Sequence, residues 1–175
     1  DLVREFNRKE AKLRYDIEKK KVRFQTLIRS EHQRLAKGVI RYLLDAPLTS
    51  YLTAPVAWIC LVPALFLDLT VALYQGICFP AWNVPRVRRG DYVVIDRHSL
   101  AYLNPIEKLN CVYCGYFTGL MEYVREVAAR TEQHWCPIKH ARRIRAGHSR
   151  YKYFFDYGDA QSYRREFPSV RQRFD

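Results

Sequence analysis

Residues 51–82 read YLTAPVAWICLVPALFLDLTVALYQGICFPAW, and the rest of the chain is interpreted outward from them. This stretch of 32 residues carries one charge, Asp68, and one side-chain amide, Gln75. About 20 apolar residues span a bilayer, so the length suffices. Pro63 and Asp68 fall near the middle, where a straight span tolerates them least. Cations flank both ends: Arg34, Lys37 and Arg41 before, Arg86, Arg88 and Arg89 after. Under the positive-inside rule, that symmetry keeps both ends on the cytoplasmic side. The expectation is an apolar helical hairpin over 45–85, re-entrant or monotopic. Its arms of about 15 residues would each reach ~22 Å, short of the ~30 Å hydrocarbon core. Trp58, Leu61, Leu65, Leu67 and Trp82 are the expected lipid contacts, with Tyr51 as a further interfacial anchor. A single tilted span and a soluble hairpin buried in a partner subunit are the alternatives.

Upstream, residues 1–44 contain no proline, and Gly38 is their only glycine. Phe6, Leu13, Ile17, Phe24, Ile28, Leu35, Val39 and Tyr42 recur at intervals of three, four or seven, the spacing of one helical face. Thirteen Lys/Arg stand against six Asp/Glu in this segment. The reading is a long basic amphipathic helix, suited to an arm or to an anionic bilayer surface.

Downstream, residues 86–175 form the expected cytoplasmic head. Asp91–Asp96 is rich in β-branched and aromatic residues and predicts a strand. Asn104-Pro105, with Glu107 three residues after Asn104, predicts a capped helix start. Cys111 to Gly115 reads as a turn, Phe117 to Gln133 as a second helix, and Asp159 to Glu166 as a short third one. The fold class is therefore mainly α, with a small α+β head.

Cys111-x-x-Cys114 and Cys136-x-x-x-His140 carry the clearest chemistry. Two cysteines two residues apart can present both sulfurs to one ion from a tight turn. A second pair one helix downstream would complete a tetrahedral Cys3His set, and His134 is an alternative fourth ligand. Nearby Lys108, Lys139, Arg142 and Arg143 would favour the thiolates. Zinc is the favoured metal, with iron or a [2Fe–2S] cluster as the alternative. A redox dithiol should instead open a helix after a strand, which this pattern does not predict. Cys60 and Cys78 sit in the apolar stretch and read as small apolar residues.

Other groupings are weaker. Asp91, Asp96, Arg97 and His98 read as local caps and turns, while Glu122 and Glu126 pair with arginines on a helix face. The aromatic and basic run Tyr151–Tyr157 suits packing better than a nucleic-acid platform. No P-loop, GxGxxG, GxSxG or HExxH motif occurs. The chain of 175 residues has a net charge of +12, with 13 Tyr and 9 Phe, a composition that excludes an intrinsically disordered chain.

The segments VVIDRH, NPIEKLNCVYCGY and EVAARTEQHWCPIKHARR together resemble an uncharacterised family of bacterial proteins. The resemblance implies a bacterial origin and no activity. In outline, a broken apolar hairpin before a cytoplasmic head is similar to monotopic phospho-sugar transferases, but their Asp-Glu catalytic pair has no counterpart here. The expected function is a membrane-associated, zinc-organised scaffold or accessory subunit at the cytoplasmic face of the bacterial inner membrane. Its expected partners are anionic lipid and a protein of a membrane complex, before nucleic acid. An oxidoreductase or electron-transfer accessory with an iron centre is the alternative.

Overall fold

The computed structural model describes residues 15–18, 21–24, 33 and 36–174. Two short antiparallel strands, β1 (Tyr15–Glu18) and β2 (Lys21–Phe24), are followed by helices α1 (Val39–Leu44), α2 (Leu48–Ile59), α3 (Leu61–Ala81), α4 (Pro105–Trp135) and α5 (Ala160–Val170). The described residues are mainly helical, as expected. They gather into two compact units, Asp1–Ile59 with Val94–Tyr116 and Cys60–Val93 with Phe117–Asp175.

The continuous basic helix expected over 1–44 is corrected where the chain is described. The ladder pairs Tyr15 with Phe24 and Ile17 with Val22, and sets Asp16 opposite Arg23 and Glu18 opposite Lys21. Ile17 and Phe24, expected on one helical face, thus belong to paired strands, where alternate positions share a side. The remainder of the expected helix before residue 33 lies outside the described residues.

The apolar stretch is helical on both sides of Cys60 and through it. Cys60, between α2 and α3, keeps right-handed helical dihedrals (φ −60°, ψ −17°), and the Ala64 N–H donates to its carbonyl at 3.3 Å. Leu48–Ala81 is accordingly one helical run of 34 residues. Pro55 and Pro63 interrupt single hydrogen bonds without turning the chain back, since each removes one donor only.

Helix α3 ends in a Schellman motif. Asn83 takes a left-handed φ of 56°. The Val84 N–H reaches Phe79 O at 2.8 Å and the Asn83 N–H reaches Pro80 O at 3.2 Å. Pro85 then prevents any continuation. The chain next runs back along α3 as a strap: Arg86 donates to Gly76 O, Val87 meets Gln75, and Arg89 meets Asp68.

The strand expected at Asp91–Asp96 is not formed. A 3-10 turn occupies Arg89–Asp91, and the following residues pair with no other strand. They lie instead on the backbone of α4. A Cβ at Gly119 would sit 2.6 Å from Tyr92 O, and one at Gly115 would sit 3.3 Å from Val94 O. The turn expected at Cys111–Gly115 is likewise replaced by uninterrupted helix, because those glycines provide close approach and not chain reversal.

The start of α4 follows its local signals. Asn104 Oδ1 accepts from the Ile106 and Glu107 N–H groups, and Glu107 Oε2 accepts from the Asn104 N–H at 2.9 Å. In the second unit, Phe79, Leu120, Tyr123, Val127 and Ala129 form the buried core. Phe154 and Phe155 are buried as well, so the aromatic tail packs on the head. A single parallel bridge, Ile138 to Phe155, is all the sheet pairing of the expected α+β head among the described residues.

Candidate functional site

Helix α2 shows almost every side chain to its surroundings, with Trp58 the one half-buried exception. Along α3, exposure becomes one-sided. Val62, Leu65, Phe66, Leu69, Leu73 and Ile77 are exposed, Leu65 at 53% and Ile77 at 72%. Ala64, Gln75 and Phe79 are buried on the other side. Only 6% of the most apolar window of Leu48–Ala81 is buried. Large aliphatic groups left in water cost about 1.5–3 kcal/mol each relative to burial, so such a surface needs an apolar medium.

Leu48–Leu67 contains no charged residue. Twenty residues at a rise of about 1.5 Å cover roughly 30 Å, the thickness of the hydrocarbon core. Asp45 lies just before this segment and forms an ion pair with Lys37 at 2.5 Å. Asp68 lies just after it and receives a two-pronged contact from Arg89, Nε to Oδ1 at 3.0 Å and Nη2 to Oδ2 at 2.7 Å. The polar groups of the apolar helix are thus answered by protein. Gln75 is the most fully engaged: its Oε1 accepts from the Val87 N–H at 3.0 Å, and its Nε2 donates to Val87 O at 3.2 Å and to the Tyr123 hydroxyl at 2.5 Å. Burial, followed by the charge of Asp68, holds the Tyr123 phenol above its ordinary pKa, so it stays neutral.

The five residues expected to contact lipid differ in their surroundings. Leu65 is exposed, and Leu61 and Leu67 are half-buried. Trp58 packs on Tyr113 with ring centroids 4.8 Å apart, and Tyr113 donates to Ala57 O at 2.7 Å. Trp82 stacks on His134 at 5.4 Å, nearly parallel, with Trp135 edge-on at 5.3 Å. Both tryptophans therefore serve the protein interior. Sequence composition favours aromatics at interfaces, but ring-sized gaps between helices compete for the same residues.

A buried polar network organises the head. Glu126 accepts from Arg130 Nε at 2.9 Å, Ser149 Oγ at 2.9 Å and Arg150 Nε at 3.3 Å. Burial pushes the Glu126 pKa up, but the hydrogen bonds from Arg130 and Ser149 and the charges of both arginines outweigh it and leave the group lowered. Arg150 also donates to Gln133 Oε1 at 3.1 Å, and Gln133 Nε2 holds the carbonyls of Val170 and Arg173. Glu122 pairs with Arg125, as expected of a solvated helix face.

The four expected metal ligands are not brought together. Cys111 and Cys114 belong to α4, and Cys136 follows its last residue. The 24 residues between Cys111 and Cys136 are all helical, where the expected site needs a turn at Cys111–Gly115 to present both sulfurs. Among the described residues, no group of three or more His, Cys, Asp or Glu is arranged to hold a metal. Partial burial and the neighbouring Glu132 raise the Cys136 pKa, the reverse of what a thiolate ligand requires. His140 is exposed, with its ring stacked on Tyr151. His134, the alternative ligand, is engaged elsewhere. Arg171 Nη2 lies 2.7 Å from its Nε2; a guanidinium only donates, so that nitrogen is the acceptor. Burial, then the charge of Arg171, lowers its pKa and keeps the ring neutral. The Cys3His centre expected from sequence is thus not assembled among the described residues.

Gly119, Gln75 and the strap were not singled out as functional positions by sequence. The spacing Gly115-x-x-x-Gly119 is a recognisable signal for close backbone approach, and a lone amide in an apolar helix is one for an internal partner. No family model matches the chain, no curated protein matches it, and no solved structure matches it.

Proposed function

We propose that this chain is a membrane-embedded accessory protein that places Leu48–Leu67 in the hydrocarbon core and holds a basic head beside the bilayer. One observation carries the reading: a helical run of 34 residues whose large apolar side chains are exposed. The charge supports it, since a chain of net charge +12 has cations on both flanks of the apolar run. A span sets the two flanks at opposite surfaces, and the basic head that follows it matches the anionic headgroups of the cytoplasmic leaflet, in a bacterial cell that of the inner membrane. The role in this reading is that of an anchor and scaffold, supported by the buried Glu126 and His134, both engaged in contacts within the fold.

Fractionation of the expressed full chain tests the reading. It should sediment with membranes, resist extraction by high salt and alkaline carbonate, and require detergent for release. A detergent-free, monodisperse monomer would overturn it. Co-purification as a soluble stoichiometric complex that covers Leu48–Leu67 would replace it with the partner-subunit reading.

A further inference from the structure

The sequence from Gln133 to Phe155 contains no Asp or Glu and six Lys or Arg. Two of the six are committed within the fold: Arg150 to Glu126 and Gln133, and Lys139 to Asp156 at 2.8 Å. Arg142, Arg143 and Arg145 are different. All three are exposed, and none forms an ion pair with an acidic side chain among the described residues.

The loop that bears them is fixed at both ends. At its start, the Lys139 N–H donates to Phe155 O at 2.7 Å, and the His140 N–H donates to the Tyr151 hydroxyl at 2.8 Å. At its end, Arg125 Nη2 donates to Gly147 O at 2.5 Å. Residues 141–146 therefore project from a closed base and present three guanidinium groups. Trp135 and Ile138, just before the loop, are exposed at 53% and 37%. An exposed indole and an aliphatic side chain in the same short segment as three arginines without an acidic partner among the described residues make up the amphipathic combination that favours the headgroup layer of a bilayer.

We propose that Arg142, Arg143 and Arg145, with Trp135 and Ile138, form a docking patch for the anionic headgroups of a phospholipid bilayer. The inference rests on the membrane reading given above and adds a lipid preference to it. Nucleic acid would also attract three arginines. Lipid is favoured because the same unit carries the exposed apolar face Leu65–Leu69–Leu73–Ile77, and because the patch is flanked by apolar groups that a phosphodiester backbone would not cover.

The experiment compares flotation of the full chain, diluted from detergent, with two kinds of vesicle: pure phosphatidylcholine, and phosphatidylcholine with about a third phosphatidylglycerol. Wild type should bind both, and the anionic vesicles more strongly. At roughly 1 kcal/mol per cation near an anionic surface, three arginines contribute up to about a hundredfold before screening. The variant R142Q/R143Q/R145Q should keep the phosphatidylcholine binding and lose most of the anionic increment. A matched variant, R164Q/R165Q on the exposed face of α5, should keep that increment. If wild type floats with neither vesicle, the membrane reading itself fails. If it binds both equally, or the triple variant keeps the full increment, the patch is overturned while the membrane reading stands. Salt-sensitive binding of an oligonucleotide that the triple variant abolishes, without any anionic-lipid increment, would overturn the lipid assignment in favour of nucleic acid. Unchanged circular dichroism melting of the variants establishes that the surface substitutions leave the fold intact.

Discussion

Replacing Gln75 with leucine conserves approximate volume and removes all three of its hydrogen bonds. The partners left behind are the N–H and C=O of Val87, which is 4% exposed, and the hydroxyl of Tyr123, which is 1% exposed. An unsatisfied buried polar group costs about 1–3 kcal/mol. Counting only the two backbone groups at about 1.5 kcal/mol each gives roughly 3 kcal/mol, which at ~1.36 kcal/mol per decade is about two orders of magnitude in an opening equilibrium. The loss falls on the strap, because Gln75 is the only side chain that holds both backbone groups of Val87 among the described contacts. Arg86, Arg88 and Arg89 make the strap a substrate for trypsin once it opens. Full-length protein in detergent micelles, digested briefly and read by mass spectrometry, should show cleavage after these arginines rising about a hundredfold in Q75L. Cleavage within the loop at Arg142 and Arg143 serves as the internal reference and should stay constant. Proteolysis tracks the open population when reclosing is faster than cutting, so the ratio reads the free energy directly. Strap cleavage within threefold of wild type, in a variant that melts like wild type, would refute the assignment of Gln75 as the clamp.

His134 has a folded pKa below its ordinary 6.5, so the unfolded chain takes up the proton first, and stability falls as pH drops from neutral through about 6.5 toward the folded value. Thermal melts between pH 7.5 and 5.5 should show this decline, and H134N should flatten it; an equal slope in the variant would contradict the assignment. G119A drives a methyl group into the Tyr92 carbonyl and Val93 Cα, both backbone, and should destabilise the protein by about 1–3 kcal/mol, whereas G76A meets nothing within 4 Å and should be neutral or stabilising by up to about 1 kcal/mol. Denaturant midpoints distinguish the two, and equal effects would refute the close approach of the strap to α4. Chelation with EDTA should leave the melting temperature unchanged, because Cys111 and Cys136 are separated by helix; a fall of several degrees, reversed by zinc, would refute that separation.

What the sequence makes legible divides along a physical line. Asn104, Pro105 and Glu107 announce the start of α4 because a helix cap is built from residues within three positions of one another. The membrane-length segment is equally legible, since hydrocarbon selects for length and composition alone. The expectations that failed depend on partners distant in the chain. The β-branched run Asp91–Asp96 finds a glycine-bared helix where a strand would need an edge, and so stays unpaired. The Tyr15–Phe24 segment satisfies both a helical and a two-residue period, and pattern counting could not choose between them. The cysteine spacing looked like a metal site because the turn assigned at Cys111–Gly115 would have let the chain fold back. That segment is helix, so the turn on which the reading leaned is not formed. The ring partners of Trp58 and Trp82, Tyr113 and His134, were not legible for a related reason: they lie far along the chain from the tryptophans they meet.

The polar residues of the apolar run identify which side of α3 faces protein. Asp68 and Gln75 are seven residues apart, two helical turns, and Ala64 and Phe79 continue the same line at intervals of four. Each polar member meets a group from the returning strap: a guanidinium for the carboxylate, a peptide unit for the amide. In water these contacts would be worth little, since solvent competes for every donor and acceptor. Where burial against the strap shuts water out, an unanswered carboxylate or amide is expensive, so the strap's donors and acceptors are what allow these two polar groups on that side of the helix. The same pairing frees the opposite side, Leu65, Leu69 and Leu73, to remain wholly apolar. The Schellman end at Asn83 thus has a role beyond stopping the helix: by reversing the chain there, it delivers Val87 and Arg89 to the two positions at which an otherwise lipid-compatible helix cannot do without them.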